Sequence, residues 1–178
     1  PAGTTSLVLG TSSGIHAWHN DYYVRRMRVG KNEAIYKYLS KSHPELIEDE
    51  YFRPHDTAVI SVPQKAPAKS ILRTESPFDT LERVKRVAQE WIKPGHRRGS
   101  NTHNVSATIS LKGNEWEKAG EWMWSNREYY NGLSVLPYDG GTYTQAPFED
   151  IDEAEYNKMS KVFSDINLKK IIKNNDNT

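Results

Sequence analysis

SPFDTLERVKRVAQEWIKPG, Ser76 to Gly95, followed by NVSATISLK, Asn104 to Lys112, decides how the chain is read. The Ser76 hydroxyl can cap a helix, Pro77 suits the first helical position, and Asp79 completes a capping-box arrangement. Leu81, Val84, Ala88, Trp91 and Ile92 then form one apolar stripe, and Pro94-Gly95 ends it. NVSATISLK reads as the strand that follows. A helix feeding a strand is one step of an α/β alternation.

The same alternation extends in both directions. Upstream, TSLVLG reads as a short helix, YYVRRMRVG as extended, and NEAIYKYLSKS as a helix with Ala34, Ile35, Tyr38 and Leu39 on one face, stopping before Pro44. TAVISV, bounded by Pro63, suits a buried strand. Downstream, Asn114 and Glu117 open a helix with Trp116, Ala119, Trp122 and Met123 on one face, and GLSVLPYD is extended. A last helix is expected near Asp150 and Glu153, carrying Ile151, Ala154, Met159 and Val162. Strands separated by amphipathic helices predict βαβ units and a largely parallel sheet. In such a sheet ligands sit in loops at strand ends, so the Trp-rich helix reads as core.

The 178 residues fit one domain, with 36% hydrophobic content and a mean hydropathy of −0.80. Five Trp, ten Tyr and four Phe supply much of the burial. With 24 basic and 23 acidic residues interspersed, no global field points to nucleic acid or an anionic membrane. No apolar run approaches membrane-spanning length and no signal peptide is seen, so a cytoplasmic location is the default expectation. The absence of Cys excludes disulfides, thiolate metal sites and thiol chemistry within this chain. His16 and His19 lie close together without further ligands nearby, and no metal site is expected.

Five segments are loop candidates for chemistry. PAGTTSLVLG, Pro1 to Gly10, puts small and hydroxyl residues before a helix start, which suits either a helix cap or a phosphate held by free N–H groups. GTSSGIHAWHNDYYVRR frames small hydroxyl residues with Gly10 and Gly14. SVPQKAP, Ser61 to Pro67, reads as a Pro-braced turn presenting Gln64 and Lys65. LPYDGGTYTQAPFED, Leu136 to Asp150, places Tyr138, Asp139, Tyr143, Thr144 and Gln145 around two glycines that permit close approach of a ligand. GHRRGSNTHN, Gly95 to Asn104, has a basic cluster without an interleaved aromatic platform and reads as a solvated connection. No G-x-S-x-G elbow, HExxH, Walker motif or carboxylate pair is present, so no complete catalytic set is assembled.

Four stretches carry a family resemblance: GTTSLVLGTSSGIHAWHNDYYVRR, SVPQKAP, EWIKPGHRRGSNTHNVSATI and NREYYNGLSVLPYDGGTYTQAPFEDI. In order, and across nearly the whole chain, they resemble the C-terminal part of adenosylcobalamin-dependent ribonucleoside-triphosphate reductases of the monomeric class II kind. The resemblance implies the later part of a ten-stranded α/β barrel over 1–165, and an exposed tail over 166–178 preceding a Cys-bearing segment. It implies a contribution to the reduction of ribonucleoside triphosphates by cobalamin-initiated thiyl radical chemistry. Substrate phosphate would fall to Ala2, Gly3, Thr4, Thr5 and Ser6. Adenosylcobalamin contacts would fall to Ser61, Val62, Pro63, Gln64 and Lys65, and to Tyr138, Gly140, Gly141, Tyr143 and Gln145. The thiyl-radical Cys and the reducing Cys pair of such enzymes have no counterpart here. The expected partners are therefore an N-terminal reductase fragment carrying the cysteines and a thioredoxin-type reductant, with no catalytic residue in this chain and no turnover by it alone. The alternative is a non-catalytic nucleotide-phosphate or RNA-binding α/β module.

Overall fold

Ser76 begins its helix as the sequence requires. Its Oγ accepts a hydrogen bond from the Phe78 N–H at 3.2 Å, and Pro77 fills the first helical position. Helix α3 (Pro77–Val87) does not end there. It passes into a π turn over Ala88–Ile92 and a last turn, α4 (Lys93–Gly95). The cause is Pro94, which has no N–H and whose ring crowds the carbonyl four residues back. A wider turn, with the Lys93 N–H reaching the Ala88 carbonyl, relieves that clash. The extra residue shifts the stripe: Ile92 still packs on the core, whereas Trp91 is 78% exposed and not part of it.

The computed structural model describes residues 3–138 and 143–175. It divides into two compact units, Pro1–Trp18 with Lys69–Asp139, and His19–Ala68 with Gly140–Thr178.

The first unit holds α1 (Gly3–Leu9), α3, α4, β4 (Thr108–Leu111), α5 (Trp116–Ser125) and β5 (Ser134–Pro137). β4 and β5 pair in parallel, from Thr108 opposite Ser134 to Leu111 opposite Pro137, with α5 as the crossover. Val105, Ala107, Ile109 and Leu111 alternate inward and meet Leu81 and Val84 of α3 and Ala119 of α5. The expected strand over NVSATISLK is thus regular only from Thr108, although its alternation starts earlier. Helix α5 starts without Asn114 as its cap; the Glu115 carboxylate instead accepts the Lys112 N–H at 2.7 Å. Ala119 is buried and Trp122 stacks on Tyr130, but Trp116 and Trp124 are exposed, so the Trp-rich helix is core along one narrow line only.

The second unit holds β1 (Tyr22–Gly30), α2 (Ala34–Ser42), β2 (Ile47–Asp49), β3 (Thr57–Lys65), β6 (Phe148–Asp150), α6 (Glu153–Ser164) and α7 (Leu168–Asn175). Its sheet runs β2-β3-β1-β6 with every neighbouring pair antiparallel, which overturns the largely parallel expectation. β1, α2 and β2 do make a crossover between strands of the same direction. The chain then turns back at once, and β3 inserts between them. Alternation in sequence therefore marks a crossover without making its two strands neighbours.

β3 also corrects the reading of SVPQKAP: Ser61–Lys65 continue the strand, opposite Arg26–Tyr22 of β1. Pro63 is tolerated because β2 covers only Ala58–Ile60, leaving the other flank of Ser61–Lys65 without a ladder to interrupt. The core on the helical side joins Val29, Ala58 and Ile60 to Tyr38 and Leu39 of α2. Asp152 caps α6 by accepting the Glu155 N–H at 2.8 Å, so Asp150 and Ile151 precede the helix. The expected exposed tail is a helix over Leu168–Asn175, with Ile166 and Ile171 packed on this core.

Candidate functional site

The opening segment enters α1 at Gly3, and the first turn of that helix carries no acidic side chain. Its end is fixed by a Schellman arrangement: the Thr11 N–H reaches Ser6 O at 3.0 Å, the Gly10 N–H reaches Leu7 O at 3.2 Å, and Gly10 sits at φ +63°. Thr5 is exposed, whereas Ser6 is buried, so the hydroxyls of this segment do not all face one way. Among the described residues beyond its own turn and chain neighbours, nothing lies within 4 Å of where a Gly3 Cβ would stand. Ala2 lies outside the described residues.

Lys65, expected to be presented by a turn, is engaged within the chain. Its ammonium lies 5.1 Å from the Tyr22 ring centroid, and its pKa is raised first by a hydrogen bond to Tyr22 and then by Tyr22 and Glu153 charge. The Tyr22 hydroxyl in turn donates to Glu153 Oε1 at 2.7 Å, tying the end of β3 to the start of α6. The Gln64 amide donates to the Pro63 carbonyl at 3.0 Å.

Beyond β5, the Tyr138 N–H donates to the Leu111 carbonyl, leaving the ring 49% exposed with Lys112 Nζ 5.5 Å from its centroid. Tyr143 is 58% exposed. Gln145 adopts φ +55° and is committed: its Oε1 accepts the Tyr51 N–H at 2.9 Å, and its Nε2 donates to the Asp49 carbonyl at 2.7 Å. Gly140 and Gly141 lie outside the described residues. Tyr138 in the first unit and Tyr143 in the second each present an exposed ring, and apolar surface of that kind suits a large corrin better than charge does. The Gln145 amide does not fit that role, because both its polar atoms are used within the chain. Ala2–Ser6 and Tyr138 belong to the first unit; Ser61–Lys65, Gly140, Gly141, Tyr143 and Gln145 belong to the second.

Two polar constellations escaped the sequence reading. Glu50 is buried, and its carboxylate accepts the N–H groups of Phe52 and Arg53 at 2.8 and 2.7 Å and the Arg28 Nε–H at 3.3 Å. Burial pushes its pKa up, but the Arg53 and Phe52 N–H groups and the Arg28 charge outweigh it and hold the carboxyl below its ordinary range. Around the same loop, Lys31 bonds the Pro54 carbonyl and Asp49, each at 2.6 Å. The second constellation is His19, 3.0 Å from Asp150 and stacked on Phe148. Among the described residues no group of three or more His, Asp or Glu could hold a metal ion, and no helix is long and apolar enough to cross a membrane.

No protein-family model matches the chain. It is similar to the adenosylcobalamin-dependent ribonucleoside-triphosphate reductase of Euglena gracilis, with 29% identity over 177 residues, covering 94% of this chain and 22% of that protein. The enzyme of the same name from Levilactobacillus brevis is 25% identical over 167 residues, covering 93% and 22% respectively. Among solved structures, a B-12-dependent class II ribonucleotide reductase superposes on 100% of this chain and 24% of its own, with a TM-score of 0.78 and 23% identity. The chain thus spans less than a quarter of the length of the proteins it matches. Over nearly all of its own length it is similar to a segment of adenosylcobalamin-dependent ribonucleoside-triphosphate reductases.

Proposed function

We propose that this chain is the substrate-phosphate and cobalamin side of a class II ribonucleotide reductase. The observation that carries the reading is co-extension: sequence similarity to such reductases covers 94% of the chain, and the fold match covers all of it. The two-stranded parallel sheet β4–β5 supports a larger assembly. Parallel sheets are ordinarily wide and covered on both faces. Here Thr108 and Ser110 face outward and Leu136 is half exposed, as expected of strands belonging to a barrel completed by further chain.

In this reading residues 1–165 are the later part of a ten-stranded barrel. Ala2, Gly3, Thr4 and Thr5 take the triphosphate on the unpaired N–H groups that open α1, where no acidic side chain competes. Ser6 contributes through its place in the helix rather than its buried hydroxyl. Ser61–Lys65, Tyr138, Gly140, Gly141 and Tyr143 offer surface to adenosylcobalamin, which when bound supplies the radical initiation that the protein's own side chains cannot. Gln145 acts behind them by bracing the Glu50 loop. With no Cys, the chain is inactive alone and depends on a Cys-bearing N-terminal partner and a thioredoxin-type reductant.

The test is substrate use by the reconstituted enzyme. Thr4→Val with Thr5→Val is expected to weaken use of ribonucleoside triphosphate by about 1–3 kcal/mol, the value of lost charge-assisted hydrogen bonds, with adenosylcobalamin affinity unchanged. Unaltered kcat/KM in that variant rejects the phosphate role.

A further inference from the structure

The basic loop GHRRGSNTHN lacks an aromatic platform in sequence, but the fold builds one beside other cations of the same unit. Lys85 of α3 and Lys93 of α4 both reach the Tyr129 ring, with ammonium nitrogens 5.4 and 4.3 Å from its centroid. In an unbroken α-helix, residues eight apart stand about 80° out of phase. The π turn at Ala88–Ile92 absorbs an extra residue between them and brings the two lysines toward one side. Five residues before Tyr129, Trp124 is 72% exposed, with the Arg127 guanidinium 5.0 Å from its ring.

These cations differ from their counterparts elsewhere. Lys31, Arg53, Arg83 and Arg86 each have a carboxylate partner. Among the described residues Lys85, Lys93 and Arg127 have none; their contacts are to Tyr129, to the Trp124 ring and to the Trp124 carbonyl. Two ammonium groups sharing one ring repel each other, and an anion placed between them is attracted by both. Glu128, exposed on the same turn, opposes three positive charges with one. The exposed Trp124 indole, held by Arg127 two residues before Tyr129, offers a stacking face to a nucleobase.

We propose that Lys85, Lys93, Arg127, Tyr129 and Trp124 form a binding surface for a nucleotide unit, with the lysines on the phosphate and Trp124 against the base. The proposal does not depend on the reductase reading, because it uses no residue of the α1 start or of the candidate cobalamin surface other than as controls.

The experiment titrates the full chain at low salt with inorganic tripolyphosphate, ATP and a short oligothymidylate, by calorimetry and Trp fluorescence. All three are expected to bind, with affinity falling as salt rises. Lys85→Ala with Lys93→Ala is expected to weaken all three by about tenfold. Trp124→Leu is expected to weaken ATP and oligothymidylate but not tripolyphosphate. Tighter binding of oligothymidylate than of ATP identifies a single-stranded polynucleotide as the ligand, and the reverse order identifies a free nucleotide. Lys85→Gln with Lys93→Gln replaces the alanine pair if that pair aggregates. The proposal is overturned if no probe binds the folded chain, if the folded lysine variants bind like the parent, or if binding is lost only in Thr5→Val.

Discussion

The two units reach a buried core by different routes. In the first, a helix stripe meets one alternating strand: Leu81 and Val84 pack on Val105, Ala107, Ile109 and Leu111, while the polar contacts, such as Arg83 with Glu75 and Asn104 with Asn131, lie outside that stripe. In the second, the sheet is antiparallel, and one of its turns is fixed by side chains: Glu50, Lys31 and Gln145 bond the backbone between Asp49 and Pro54, and Arg28 donates to the Glu50 carboxylate. The alternating apolar stripe dominates the first unit, whereas in the second a buried carboxylate holds a sheet turn. The contrast teaches that the first should fail by cavity formation and the second should also fail by loss of charge or hydrogen bonds.

The largest expected effect lies in the first unit. Ile109 is 1% exposed and central to its cluster, so Ile109→Ala is expected to cost about 2–5 kcal/mol. Hydrogen exchange at the β4 amides checks it; unchanged protection there would remove the apolar stripe from its place in the argument. Next comes acid. The Glu50 carboxyl is held below its unfolded value of about 4.3, so its contribution is complete above that pH and is lost as pH falls through the lowered folded value. Glu50→Gln should therefore destabilise the second unit at neutral pH and flatten its acid dependence, as followed by urea unfolding across pH. A pH dependence unchanged by the substitution contradicts the brace.

Gln145→Gly keeps a residue at ease at φ +55° but removes both clamp bonds, and is expected to cost about 1–2 kcal/mol. Exchange at the Tyr51 amide should rise with it. Smallest is Ser76→Ala, a lost cap worth about 1 kcal/mol, read as a lowered Tm with faster exchange at Phe78.

The first unit was the more legible one. Ser76, Pro77 and the Leu81–Val84–Ala88 spacing are local signals, and each element they mark is present where the sequence puts it. Trp91 was misread because a proline three residues later widens the turn, an effect that hydrophobic spacing does not encode. The second unit hid its topology in strands too short to show a period. Ile47–Asp49 and Phe148–Asp150 are three residues each and rich in acid, so neither resembles a strand, yet they edge the sheet. Pro63 looked like a boundary because the flank left bare by β2 is not visible in sequence. At the candidate site, the small-residue start of α1 was read where a helix does begin. The commitments of Lys65 to Tyr22 and of Gln145 to the Glu50 loop are long-range contacts that composition could not announce.

The most direct measurement is adenosylcobalamin-dependent reduction of ribonucleoside triphosphates by this chain alone and after combination with a Cys-bearing N-terminal reductase polypeptide. The account predicts no deoxyribonucleotide from the chain alone and cofactor-dependent product from the pair. Product from the isolated chain, or a stable complex of the two polypeptides that binds adenosylcobalamin and substrate yet forms none, would contradict it.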